Sequence, residues 1–143
     1  MLKNIPGILS PQLLKILMEM GHGDELVIAD GNFPAASIAQ RLVRLDGHGC
    51  ATVLEAILKL LPLDIYVDKP VALMQVVEGD NVETPIWDEY RKIIKASGEK
   101  FVDFDMVERF AFYERAKKAY VVIATSEAAL YANIILKKGI VKP

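Results

Sequence analysis

Apolar positions recur along this chain in two rhythms, one helical and one extended. Ser10-Pro11 opens the first: Ser10 is placed as an N-cap and Pro11 at the first helical position, where a missing N–H costs nothing. From Pro11 to about Met20, Gln12, Lys15 and Glu19 form one thin polar stripe. Leu13, Leu14, Ile16, Leu17, Met18 and Met20 fill the rest of the circumference, and Gly21 is the stop. A second helix spans Thr52 to Leu61, with Glu55 and Lys59 at i,i+4 as almost its only polar positions, and ends before Pro62. Helices this apolar are covered on more than one side. Thr84-Pro85 repeats the cap-plus-proline start. Ile86, Trp87, Tyr90, Ile93, Ile94 and Ser97 then follow helical spacing with charges opposite, up to Gly98. A fourth helix covers Glu108 to Lys118.

Between the helices lie short apolar runs that read as strands: Glu25 to Asp30, Leu42 to Leu45, Val71 to Val77, Phe101 to Asp105, Tyr120 to Thr125 and Asn133 to Lys137. Gly31-Asn32-Phe33-Pro34, Asp46-Gly47-His48-Gly49 and Glu78-Gly79-Asp80-Asn81 supply loops and turns. Strands separated by helices predict an α/β fold, a mainly parallel or mixed sheet with helices on both faces. No internal repeat, low-complexity tract or linker interrupts the pattern, so residues 1–143 are expected to form a single domain.

Composition narrows the setting. At 143 residues the scaling of surface with size has about 68% of the unfolded surface buried on folding, a core that needs no disulfide or structural metal. Seventeen basic residues against nineteen acidic give a net charge of −2 with no long run of either sign, which argues against a nucleic-acid partner. The single cysteine, Cys50, forms no intrachain disulfide, and Met1-Leu2-Lys3-Asn4-Ile5-Pro6 lacks the pattern of an export signal; a reducing cytoplasm is the expected location. Mean hydropathy is high at +0.26, yet charges and prolines break every apolar run well short of the 18 or so residues needed to span a bilayer. The apolar surplus is concentrated in the first two helices, and burial in a homo-oligomer is expected to absorb it.

Candidate chemistry is sparse. His22 sits between two glycines, Gly21 and Gly23, which leave its backbone open to close approach; the alternative is that Gly21 only caps the first helix and His22 favours its negative end. Asp30 stands at the C-terminal end of the first strand, where ligands of open α/β sheets gather, or else closes an Asx turn with Gly31-Asn32. Arg109 and Tyr113 share a helical face at i,i+4 and together offer a polar grip for a ligand with several hydroxyls; the alternative is a surface pair beside core Phe110 and Phe112. Neither a His-Glu-x-x-His motif nor a Cys/His cluster is present, so no metal is expected. His48 and Cys50 are too close in sequence to suggest a nucleophile–base pair. No Gly-rich phosphate motif occurs, and no cofactor is expected.

At these residues the sequence resembles the ribose pyranase and fucose mutarotase family, in particular its fucose mutarotase branch. The matching stretches are Ile8-Leu9-Ser10-Pro11 with Leu13-Leu14-Lys15, Glu19-Met20-Gly21-His22-Gly23-Asp24-Glu25, and Asn32-Phe33-Pro34-Ala35. Val77-Glu78-Gly79-Asp80, Arg109-Phe110-Ala111-Phe112-Tyr113-Glu114-Arg115-Ala116 and Ile134-Ile135-Leu136-Lys137-Lys138-Gly139 follow in order. The resemblance implies a three-layer α/β/α domain with a six-stranded sheet. It also implies ring-shaped oligomers, decameric in bacterial relatives, with monosaccharide sites near subunit boundaries. Carried over by motif, His22 is the proton-transferring residue and Asp30, Arg109, Tyr131 and Asn133 bind substrate, with Tyr113 as an extra member. Ala132 stands where glycine is common in the family's Tyr-Gly-Asn motif, and a need for positive φ there would disturb the fit.

The implied reaction is interconversion of L-fucose anomers by ring opening and reclosure, which needs proton transfer and no cofactor. A ribose-type pyranase, a non-catalytic sugar-binding ring protein and, more remotely, a metal-dependent hydrolase are the alternatives.

Overall fold

The computed structural model describes residues 1–143. Along the chain run α1 (Pro11–Glu19), β1 (Glu25–Ala29), α2 (Ala35–Ile38), β2 (Leu42–Leu45), α3 (Cys50–Leu58), β3 (Val71–Met74) and α4 (Pro85–Ser97). β4 (Asp105–Val107), α5 (Arg109–Lys118), β5 (Val121–Thr125) and β6 (Ile134–Lys137) complete it. The six strands form one sheet in the order β2-β5-β1-β6-β3-β4. β1 pairs parallel with β5, β5 with β2 and β3 with β4, while β6 runs antiparallel between β1 and β3. The sheet is therefore mixed, with one reversed strand near its centre.

Strand side chains alternate between the faces, and each face has its own core. Leu26, Ile28, Leu73, Ile123, Ile134 and Leu136 pack with α1, α3 and α4; Val27, Ala29, Ala72, Val122 and Ile135 pack with α2 and α5. That is the expected three-layer α/β/α arrangement.

Local chemistry explains most boundaries. Ser10 caps α1, its Oγ accepting the Leu13 N–H at 3.1 Å, as the sequence predicts. Thr84 makes no equivalent bond, and α4 is instead closed at its far end by Gly98 at φ +80°, a conformation suited to glycine. The run Val71 to Val77 yields a strand only to Met74; the Gln75 N–H still bonds the Val107 carbonyl of β4 at 2.8 Å, and the chain leaves the sheet after it. Phe101 and Phe104 are core anchors of a loop, with ring centroids 5.1 Å apart, rather than strand residues; β4 starts at Asp105. The short α2 has no side-chain cap and no apolar period to announce it.

The apolar surplus is placed differently from the expectation. α3 runs Cys50–Leu58, and Cys50, Val53, Leu54, Ala56, Ile57 and Leu58 are all buried. They lie in one core with Tyr90 and Ile94 of α4, so this helix is covered within the chain and leaves little for an oligomer to bury. On α1, Leu13, Ile16 and Leu17 are buried and Met18 is fully exposed. No helix is long and apolar enough to cross a membrane.

Candidate active site

All strands but β6 point the same way, so the ends of β1, β3 and β4 and the start of β6 meet at one edge of the sheet. Ligands of open α/β sheets collect at this edge, where successive connections diverge. Here they diverge between β1 and β3: the chain leaves β1 towards β2 on one side and leaves β3 towards β4 on the other, with β6 between them. The edge holds a cleft of about 510 Å³, within the usual span of small-ligand sites of about 300–1,000 Å³. Asp30, Arg109, Tyr113, Tyr131 and Asn133 all line it, together with Asn32, Met74 and Asp80. A larger groove of about 620 Å³ between α3 and α4 is bordered by solvated Glu55, Lys59, Glu89 and Lys92 and has no comparable set of oriented polar groups.

At the floor, Asp30 and Asn133 hold each other. The Asp30 backbone N–H donates to Asn133 Oδ1 at 2.8 Å, and Asn133 Nδ2 donates to Asp30 Oδ2 at 3.0 Å. Asp30 Oδ1 accepts the Asn32 N–H at 3.0 Å, so the Asx turn and the ligand-edge position are one structure rather than alternatives. Burial pushes the Asp30 carboxyl above its ordinary value, against the N–H donors of Asn32 and Phe33 and the Asn133 amide, which favour ionisation. This carboxylate is buried and held in place by a donor on each oxygen.

Arg109 is the first residue of α5, whose cap is the Glu108 carboxylate accepting the Phe110 and Ala111 N–H groups. The guanidinium lies 5.8 Å from the Tyr113 ring centroid and 5.3 Å from that of Phe110. Phe110 is exposed, while Phe112 is fully buried and meets Phe33 edge-on, so only Phe112 of the two is core.

Tyr131 carries the strain of the site. Its φ is +55°, left-handed and uncommon for a residue with a side chain. Two donors from α4 keep it there: Trp87 Nε1 bonds the Tyr131 carbonyl at 2.8 Å and the Tyr90 hydroxyl bonds the Ala132 carbonyl at 2.6 Å. The positive φ thus falls on Tyr131 and not on Ala132, whose methyl group is buried in the core.

His22 is elsewhere. It precedes β1 as Asp30 follows it, and five residues at about 3.3 Å each separate the two ends by about 17 Å. Its Nε2 lies 3.0 Å from Asp64 Oδ1, and its ring centroid is 5.4 Å from that of Tyr66. Asp64 is held through its backbone: its N–H bonds the Lys137 carbonyl at 3.0 Å, and Gly139 passes so close to Leu63 that any Cβ would meet the Leu63 carbonyl oxygen at 2.3 Å. Burial works against the Asp64 carboxylate, but the Tyr66 N–H and the His22 ring outweigh it and keep the group below its usual range. The histidine has a fixed acidic neighbour at nearly half exposure, and the helix end is not its partner. α1 closes at Met20, and the Gly21 N–H goes to Asp24 Oδ2.

Asp64 and Asp80 were not singled out by the sequence. Asp80 stands in a turn and closes the matching stretch Val77-Glu78-Gly79-Asp80 without a role attached to it, and Asp64 follows the apolar Leu60-Leu61-Pro62-Leu63 with nothing to mark it.

A rigid α/β scaffold with carboxylate, amide, guanidinium and phenol groups around one cleft has the chemistry that suits a small, polyhydroxylated ligand. The family model described as the RbsD / FucU transport protein family matches residues 3–141, and the chain belongs to that family. The chain is 52% identical to the human protein named fucose mutarotase, over 97% of this chain and 94% of that one. A crystal structure of the fucose mutarotase from Streptococcus pneumoniae in complex with L-fucose superposes with a TM-score of 0.93 at 52% identity, covering 99% of this chain and all of the other. The structure of FucU from Bifidobacterium longum gives 0.95 at 59% identity, covering 98% of this chain and all of the other.

Proposed function

We infer that the protein is an L-fucose mutarotase, an isomerase that interconverts the α and β anomers of the free sugar by opening and reclosing the hemiacetal ring. The observation that carries this is the end-to-end likeness to the S. pneumoniae fucose mutarotase complexed with L-fucose, joined to a cleft whose lining suits several hydroxyls.

Ring opening delivers a proton to the ring oxygen and removes one from the anomeric hydroxyl; reclosure on the other face of the carbonyl reverses both transfers. His22 is the proton-transfer residue in this reading, since imidazole gives and takes protons near neutrality. Asp30 and Asn133 accept and donate at the floor of the cleft, Arg109 donates from its fork, and Tyr113 and Tyr131 complete the grip. No metal or organic cofactor takes part.

Because His22 lies about one strand length from Asp30, the working site is assembled from two copies: the cleft of one subunit and His22 of a neighbour, Asp64 orienting that ring. A closed ring of identical heterologous contacts gives every cleft its histidine. A decamer is the form proposed, in the cytoplasm, where free sugar reaches it without a nucleic-acid or membrane partner.

Saturation-transfer NMR tests the function directly. Catalytic amounts of the protein should accelerate α/β exchange of L-fucose more than pyranose–furanose exchange of D-ribose. Binding without faster exchange would make it a sugar-binding protein, and a preference for ribose would make it a pyranase.

A further inference from the structure

The chain after β3 borders the mouth of the cleft and is tied to it through one side chain. Gln75 to Thr84 is neither helix nor strand, and two of its groups converge on the Tyr131 phenol. The Val77 N–H donates to the phenolic oxygen at 3.3 Å, and the phenolic proton goes to Asp80 Oδ2 at 2.5 Å. The Asp80 N–H bonds the Val77 carbonyl at 3.0 Å, so both partners of the phenol belong to one turn.

A phenol has one proton to give and two lone pairs to receive. Here the proton is committed to a carboxylate and one lone pair to an amide, which leaves a single lone pair for a ligand. The Asp80 carboxylate is itself an acceptor. Tyr131 has little freedom to escape this arrangement, because Trp87 holds its own carbonyl and Tyr90 holds that of the next residue, Ala132. The carboxylate also raises the phenol above its usual range, so the oxygen stays protonated and the proton stays directed at Asp80.

We propose that Asp80 is a specificity-determining residue of the cleft: by taking the phenolic proton of Tyr131 it makes this wall a pure acceptor, which selects a ligand hydroxyl able to donate. The inference rests on the sugar-binding reading above. It adds to that reading a rule of selection, in which a hydroxyl is accepted and a group of similar size without a proton is refused. A site built to bond a particular O–H discriminates strongly against an analogue lacking it, because its own polar groups are then left unpaired.

The test compares L-fucose with its monodeoxyfluoro derivatives at C2, C3 and C4, since fluorine occupies the place of a hydroxyl and cannot donate. Anomer exchange is followed by NMR for the wild-type protein and for Asp80→Ala, Asp80→Asn and Tyr131→Phe. At one ring position the wild-type KM for the fluoro sugar should exceed that for L-fucose by about tenfold. That ratio should collapse towards one in Asp80→Ala and Tyr131→Phe. Asp80→Asn, whose amide oxygen still accepts the phenolic proton, should retain most of it, and the losses should fall on KM rather than kcat. A ratio unchanged in Asp80→Ala at all three positions overturns the proposal. So does a fall in kcat with KM unaltered, which would put Asp80 in proton transfer. Failure of the wild type to exchange L-fucose overturns the function proposed above instead.

Discussion

The two ends of β1 are built to different standards of rigidity. At the C-terminal end, Asp30, Asn133 and Tyr131 are each fixed by two or more hydrogen bonds, and the backbone holding them is braced from α4. At the N-terminal end, His22 has one side-chain hydrogen-bond partner, Asp64, a ring contact with Tyr66, and is nearly half exposed. Groups that recognise a ligand gain from being fixed before it arrives, since ordering them on binding would weaken affinity. A group that shuttles protons needs access and a defined orientation more than a full complement of partners. On the proposed function, these demands fall at opposite ends of one strand.

The strongest way to break this comparison is to disable the ends separately. His22→Gln should lower catalysed anomer exchange by about 10² to 10⁴-fold while sugar binding persists. Arg109→Ala should instead lose sugar affinity. If each site takes its histidine from a neighbour, dissociating the two inactive variants and reassembling them together should restore roughly a quarter of wild-type activity by random pairing. No recovery on mixing would place both functions in one chain and contradict the two-subunit site.

A smaller effect is expected at the floor. Asp30→Asn puts an NH₂ group where an acceptor is needed, and should raise KM by about tenfold. The pH profile sharpens the point. Burial lifts the Asp30 carboxyl, so on acidification it takes up a proton before an ordinary carboxylate would, and a protonated oxygen no longer accepts a sugar hydroxyl. Wild-type KM should therefore rise as pH falls, starting above the usual carboxylate range, and the Asp30→Asn variant should lack that rise. A KM that stays flat on acidification would show that Asp30 does not bind the sugar as a carboxylate.

The mildest change is Ala132→Gly. Losing a buried methyl and adding backbone freedom beside the strained Tyr131 should cost about 1–2 kcal/mol in denaturant unfolding. Because Trp87 and Tyr90 hold the flanking carbonyls, KM should shift less than in Asp30→Asn. A larger shift would show that the methyl itself shapes the cleft.

Periodicity made most of the fold legible, and physics explains the rest. The runs Tyr120 to Thr125 and Asn133 to Lys137 read as strands because the residues that form β5 and β6 within them are apolar and buried on both faces. Phe101 to Asp105 misleads because a loop can be apolar when its aromatic side chains reach back into the core. The antiparallel course of β6 has no local signature. Of the site, Asp30 is legible from its place at a strand end and Arg109 with Tyr113 from their shared helical face, while Tyr131 and Asn133 come only from the family motif. His22 was legible as a candidate, but its distance from the cleft was not, since that depends on the direction of β1. Asp64 and Asp80 matter through partners 42 and 51 residues away, a separation that local pattern does not report.

The reversed strand β6 also has a consequence in time. It is the last strand along the chain, yet it lies between β1 and β3 and supplies Asn133 at one end and the Lys137 carbonyl that holds Asp64 at the other. Until residue 137 has emerged from the ribosome, β1 and β3 have no strand between them, and each presents an unsatisfied apolar edge. A nascent chain stalled short of that point holds two partial sheets, β2-β5-β1 and β3-β4, exposed to pairing with other chains. The groups at both ends of β1 are therefore fixed by one late pairing, that of β6.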